Sequence, residues 1–230
     1  MEETLEKKEQ EPIATIGYIC TTPMVFERFV INMIQLVHYN MVHNLCVLYT
    51  RTTTGDQAVA RNELSRVMRG DWLFMLDTDM QFDPNIFHQL LTTATENNLE
   101  ILSGIYCKRA TPYQPCSFVI REDKMYHADV YKAPEQLVRV DGVGAGCLLI
   151  KRNVFNRIRE ELKEEPFTVT YPYSEDLSFF LRVKKLNIPV YVAREVECGH
   201  LGLEEIRYKH FQEACKDEKY KPDFYNGPSP

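Results

Sequence analysis

The chain has 230 residues, 44% of them hydrophobic, and a formal net charge of -6; that supports one substantial core, and no composition shift or Gly/Ser/Pro linker divides it in two. The negative balance argues against a general affinity for nucleic-acid backbone or anionic membrane, and no apolar run reaches the roughly 18 residues of a membrane helix. The charged opening MEETLEKKEQEP lacks the apolar stretch of a signal peptide, so the expected location is the cytoplasm, while seven cysteines without a C-x-x-C pair read as reduced thiols.

In chain order, IATIGYIC (13–20) reads as a buried first strand, and the Pro23 of TTP suits the first turn of a helix running to about residue 38. LCVLYT, from residue 45, is a second strand, followed by a helix over 57–68 with Ala60, Leu64 and Val67 or Met68 on one face. WLFMLD is a third strand without polar alternation, which implies cover on both faces. Strand, helix, strand, helix, strand at this spacing is the pattern of a parallel sheet with helical crossovers. Pro84 opens a further helix, PNIFHQLLTTATEN, with Asp83 as its cap, and LEILSGIY is the next strand. YCKRATPYQPCSFV reads as an extended loop entering a strand, HADVY and LVRVDGV as short edge strands, and GCLLIKRNVFNRIREEL as a strand feeding a helix. EDLSFFLRVKKLN is a helix, IPVYVAREV a strand and CGHLG a loop. From about residue 209 the chain is a polar tail that wraps the domain, acts as a flap or is partly disordered.

The chemistry concentrates where the third strand ends, in DTDMQFD. In open parallel sheets ligands bind beyond the carboxyl ends of the strands. Asp77 and Asp79 lie at that edge, and two carboxylates so close repel unless a cation joins them. Oxygen ligands favour Mg2+ or Mn2+, ions that commonly bridge carboxylates to phosphate, so the expected guest is a nucleotide-linked substrate. The plain alternative is that Asp at a strand end merely terminates pairing and caps a turn. Downstream, Ser174 is a helix cap with Glu175 and Asp176 in the first turn, where the helix dipole favours acids; a carboxylate there is also well placed as a base. His200, between glycines just past a strand, is either a metal or pyrophosphate contact or an incidental loop residue. Gly142, Gly144 and Gly146 precede an apolar strand, so they are no dinucleotide fingerprint. They read as a loop whose backbone approaches the sugar, with Asp141 as a hydroxyl acceptor, or as a bulge or turn.

Together, an apolar strand ending in DTD, then SGIY, VGAGCLLIKR, SED and GHLG in this order and spacing resemble the GT-A glycosyltransferases, especially the small family-2-like enzymes of bacteria and phages. The resemblance covers residues 13 to about 202. It implies an α/β fold: a single-domain, Rossmann-like GT-A domain over 12–208, with a mostly parallel central sheet flanked by helices and a small mixed second sheet. Residues 1–11 are then a disordered N-terminal segment and 209–230 a tail. It assigns Asp77 to the ribose or the metal-water shell, Asp79 to the metal that holds the donor diphosphate, and His200 to completing the metal shell. Asp176 matches the base of inverting members, with Glu175 available for acceptor or sugar hydroxyls. Thr21, Thr22 and Pro23 match the nucleotide-binding loop, Arg61 and Asn62 a segment facing the nucleotide or diphosphate, and Gly144, Ala145 and Gly146 the sugar-side loop. The implied cofactor is Mn2+ or Mg2+, and the implied donor a nucleotide sugar.

The departure is after the second strand, where relatives carry an acid that reads the base or ribose. Here the sequence is YTRTTTGD, with Asp56 displaced, so UDP is an expectation from frequency alone. Retention of configuration, nucleotidyl transfer and a noncatalytic nucleotide-sugar-binding module are the rivals; CTTPMVFER lacks the Gly-rich basic loop of nucleotidyltransferases. The acceptor is a glycan, a small molecule or a modified nucleic acid base, and oligomeric state is not legible. Tyr171 to Tyr173 form an aromatic stacking platform or a packed turn. Lys108, Arg109, Lys151 and Arg152 could form a phosphate-binding patch, and Trp72 reads as core.

Overall fold

The computed structural model describes residues 11–22, 24–53, 55–122, 124–202 and 205–217. In it β1 (Ala14–Ile19) leads through α1 (Glu27–Val42) to β2 (Val47–Thr52), and α2 (Gln57–Val67) carries the chain to β3 (Trp72–Asp77). β4 (Met80–Gln81), α3 (Ile86–Glu96) and β5 (Ile101–Ile105) follow, then β6 (Ser117–Arg121), β7 (Lys124–His127), β8 (Leu137–Val140), β9 (Gly142–Val143) and β10 (Cys147–Lys151). α4 (Arg152–Arg157) runs into a π-helical turn (Ile158–Leu162), and α5 (Glu175–Lys185), β11 (Val190–Glu197), β12 (Gly199–Leu201), β13 (Glu205–Ile206) and α6 (Tyr208–Ala214) complete the order.

One seven-stranded sheet, in the order β2-β1-β3-β10-β5-β11-β8, forms the centre. β1 is parallel to β2 and β3, and β5 to β11, whereas β10 is antiparallel to both its neighbours and β8 to β11. The run WLFMLD shows why the sequence lacks alternation. Trp72, Phe74 and Leu76 pack on one face with Phe29 and Leu36 of α1 and Phe87 and Leu90 of α3. Leu73 and Met75 pack on the other with Leu64 of α2, Phe155 of α4 and Phe179 of α5. Both faces of the strand are core, so both parities must be apolar.

The smaller part of the fold is two three-stranded antiparallel sheets, β13-β12-β4 and β7-β6-β9, where the sequence suggested one mixed sheet. Several local expectations shift with it. Helix α1 begins at Glu27 with Phe26 at its N-cap, and Pro23 lies outside the described residues. The cap of α3 is Asn85; Asp83 contributes its carbonyl, which accepts from the Ile86 N–H at 3.1 Å. CGHLG contains strand β12, too short for a hydrophobic period to reveal and made by pairing with β4. HADVY forms no strand beyond His127. Of the supposed tail, α6 is ordered and buries Phe211 against Cys107 and Ile206, while 218–230, like 1–10, lies outside the described residues. No described helix is long and apolar enough to cross a membrane.

Candidate active site

With β1 between β2 and β3, the carboxyl ends of β1 and β3 open a crevice of the kind that binds nucleotides in α/β sheets. A cleft of about 270 Å³ occupies it, lined by Ile19, Thr21 and Thr22 after β1, by Gln57 at the start of α2, by Asp77, Thr78 and Asp79 after β3, and by Arg109. Asp56 caps α2 by accepting the Val59 N–H at 2.9 Å, so the one acid near that loop serves the helix.

Arg61 organises the floor. It is 2% exposed, and its guanidinium donates to Asp77 Oδ1 at 2.9 Å, to Glu175 Oε1 at 3.2 Å and to the Ala145 carbonyl at 3.5 Å. Burial pulls its pKa down, but the charges of Asp77, Asp176 and Glu175 outweigh burial and hold it above the ordinary arginine value. The helix position is therefore no solvated charge: it is the cation that gathers acids from β3 and α5. Glu175 is buried in that pair, which corrects its expected availability to substrate hydroxyls. Asp176 is half-buried, and its Oδ1 accepts from the Ser174 hydroxyl and from the Leu177 N–H. Ser174 is the N-cap residue by position, yet its hydroxyl is spent on Asp176 instead of a backbone amide.

The second centre is Asp79 with His200. Antiparallel pairing of β12 with β4 sets His200 beside Met80, and the Leu201 N–H donates to the Asp79 carbonyl at 2.6 Å. His200 Nδ1 lies 2.8 Å from the Cys107 carbonyl, which can only accept, so Nδ1 carries the proton and Nε2 faces Asp79 Oδ2 at 3.3 Å. A protonated ring donates Nε2–H to that oxygen, whereas a neutral one sets two lone pairs against each other, an arrangement a cation relieves; the carbonyl behind the ring is the orienting partner typical of metal-binding histidines. Arg109 Nη1 meets the same Oδ2 at 3.3 Å. Burial raises the Asp79 pKa, but hydrogen bonding and charge from His200 and the charge of Arg109 prevail, leaving the carboxyl below its usual value. Asp77 stays with Arg61, and among the described residues no three His, Cys, Asp or Glu side chains converge on one metal position. Any divalent ion here would take two protein ligands, Asp79 and His200, and draw the rest from phosphate and water, as Mg2+ and Mn2+ commonly do.

Other expected contacts turn inward. Asn62 Oδ1 accepts the Phe167 N–H at 3.0 Å, so its side chain holds the loop before α5. Gly144, Ala145 and Gly146 are buried; a methyl at Gly144 would run into the Tyr106 hydroxyl, and one at Gly146 would come within 3.0 Å of the same ring. The close approach that requires glycine is thus to Tyr106, whose hydroxyl accepts the Gly146 N–H at 3.0 Å, and the Gly146 carbonyl in turn accepts from the Asp77 backbone N–H at 3.1 Å. Asp141 holds the Ile120 N–H, Arg121 and Lys184. Lys151 pairs with Trp72 at the amino end of β3, and Arg152 bonds the Gly70 and Met68 carbonyls, so these two lie at the opposite sheet edge from Arg109 and form no patch with it. Trp72 is core and Tyr171 is fully exposed before α5. Tyr106 was legible only as part of an apolar strand; its ring also meets His200 edge-on at 5.6 Å between centroids.

Residues 35–159, more than half of the chain, match the model of Glycosyl transferase family 2. Among solved structures, A197 from STIV superposes with a TM-score of 0.52 at 17% identity, over 82% of this chain and 85% of that one. GalNAc-T7, solved with UDP, GalNAc and Mn2+, gives a TM-score of 0.56 at 11% identity, over 82% of this chain and 43% of that one. Likeness at these identities establishes a shared fold, the GT-A arrangement of the central sheet. No curated protein matches the sequence significantly. With the family match spanning β2 through α4 and both acidic centres set around one strand-end crevice, the chain belongs to glycosyl transferase family 2 and is a glycosyltransferase.

Proposed function

We propose that the enzyme moves a sugar from a nucleoside-diphosphate sugar, UDP-linked in the first instance, to an acceptor hydroxyl with inversion at the anomeric carbon. The observation that carries this reading is the arrangement of Asp176 and Asp77 around the buried Arg61, beside the Asp79–His200 pair. Asp176 keeps Oδ1 on Ser174 and Leu177, leaving Oδ2 to receive the acceptor's proton. As the acceptor oxygen bonds to the anomeric carbon, the bond from that carbon to the β-phosphate oxygen breaks, and the electron pair leaves with the nucleoside diphosphate. A divalent ion, Mn2+ or Mg2+, on Asp79 and His200 would supply Lewis-acid stabilisation of that leaving group. Thr21 and Thr22 border the nucleotide, and Asp77, fixed through one oxygen by Arg61, offers the other to a ribose hydroxyl. The acceptor, whether glycan, small molecule or modified base, enters over the exposed Tyr171 side of α5, and the reaction belongs in the cytoplasm.

The test is a panel of nucleotide sugars with Mn2+ or Mg2+, with and without acceptors, read as free nucleoside diphosphate. Asp176→Asn should keep donor binding and lose about 10²- to 10⁴-fold in turnover, while Asp79→Asn should lose metal-dependent donor binding. Undiminished activity in both variants would overturn the assignment.

A further inference from the structure

Arg109 immediately precedes the turn of a hairpin. The Cys107–Pro115 bridge and the Lys108 N–H to Gln114 carbonyl bond, 2.8 Å, close its base, and a turn bond from Tyr113 to the Ala110 carbonyl, 2.8 Å, shapes its end. From there Nη1 reaches Asp79 Oδ2 and the Leu201 carbonyl, each at 3.3 Å. The side chain is half exposed, against 22% for Asp79, and it borders the same cleft as Thr21, Thr22 and Thr78. Arg109 therefore occupies, with a guanidinium, the carboxylate oxygen that faces His200. Two cations cannot share that oxygen without repulsion. A five-donor guanidinium released there has phosphate as its best-matched partner.

We propose that Arg109 is a donor-binding residue that exchanges partners: it neutralises Asp79 in the empty enzyme and moves to the donor's diphosphate when a divalent cation takes Asp79. This rests on the reading of Asp79 and His200 given above. It has a consequence that a merely structural arginine would not produce, because the two halves of the exchange respond in opposite directions. In nucleotide-free protein Arg109 competes with the metal, so its removal should tighten metal binding. In the ternary complex Arg109 holds phosphate, so its removal should weaken nucleotide binding.

The experiment compares wild type, Arg109→Gln and Arg109→Lys by calorimetry with UDP, GDP, dTDP and CDP in the presence of Mn2+, with the matching nucleoside, and with Mn2+ alone followed by electron paramagnetic resonance. Arg109→Gln should bind the preferred nucleoside diphosphate roughly 10- to 100-fold more weakly, bind its nucleoside unchanged, and bind Mn2+ alone more tightly. Arg109→Lys keeps a positive charge without the fork and should fall between. Melting temperature checks that the variants fold, and the exposed position of Arg109 favours it. If wild type binds diphosphate and Mn2+ while Arg109→Gln matches it in both, the exchange is wrong and the site reading survives. If wild type binds none of the four nucleotides with Mn2+, the site reading falls and takes the exchange with it.

Discussion

Replacing Arg61 by Met keeps the aliphatic stem of a side chain that is 2% exposed and deletes the guanidinium. Two acids lose their partner at once, Asp77 at 2.9 Å and Glu175 at 3.2 Å, but unequally: the Glu175 side chain is 10% exposed and that of Asp77 30%. Water can rehydrate Asp77 in part, whereas Glu175 is stranded under α2. Breaking a buried pair from one side costs about 3–5 kcal/mol, because the remaining charge is left uncompensated, and Glu175 supplies most of that. Urea unfolding should therefore show a loss of about 3–5 kcal/mol at unchanged m. The double variant Arg61→Met/Glu175→Gln removes the stranded charge and should recover roughly 1–3 kcal/mol of it, a coupling read from the mutant cycle. A loss below about 1 kcal/mol for Arg61→Met would be the behaviour of a solvated surface charge, and it would refute the view that this cation gathers the site. Equal instability of single and double variants would refute the part assigned to Glu175.

Gly144→Ala should destabilise the enzyme by about 1–3 kcal/mol, since the new methyl meets the Tyr106 hydroxyl and has a buried loop around it; Tyr106→Phe in the same chain should offset part of the loss, and an unchanged melting temperature for the single variant would show that the loop yields. His127 is held neutral chiefly by burial, with the Lys108 charge adding and the Pro115 carbonyl opposing, so its pKa falls from 6.5 to about 4. Between those values the folded state binds fewer protons than the unfolded chain, so stability drops as pH falls through that window. His127→Gln should flatten that limb of the melting temperature against pH, and an unaltered slope would assign the acid loss elsewhere.

What the sequence made legible was what local physics determines. WLFMLD could only be an interior strand, and α2 ends within a residue of its expected limits because Asp56 caps it and its apolar positions repeat at helical spacing. The strand-helix order was legible from spacing, and the resemblance carried the fold class and singled out Asp79 and His200, which the structure brings to 3.3 Å. What stayed hidden depended on partners remote in the chain. Asn62 looked like a ligand-facing residue, but the amide it satisfies is at Phe167. Glu175 looked available, but its partner lies in α2. The glycine loop advertised a close approach, read as one to the sugar, and the approach that the structure shows is to the ring of Tyr106. Strand β12 is three residues long, so only its pairing with β13 and β4 defines it, and the pairing with β4 is what delivers His200 to Asp79.

The charge arithmetic of the crevice constrains how a donor can enter. Asp77, Asp79, Glu175 and Asp176 bring four carboxylates from β3, the turn after it and α5, and among the described residues Arg61 and Arg109 are arginines that face them. Arg61 is already committed, buried among three of the four. On the proposed reading a nucleoside diphosphate would add further negative charge to a site that is acidic even with both arginines counted, so the added positive charge would come from a divalent ion at Asp79, with Arg109 turning to the phosphates as that ion takes its place. Linkage then requires reciprocity: whatever factor the cation contributes to donor affinity, the donor contributes to cation affinity. On that reading cation and donor should each tighten the other's binding, and the pairing of Asp79 with Arg109 offsets one of the four carboxylate charges in the unliganded protein.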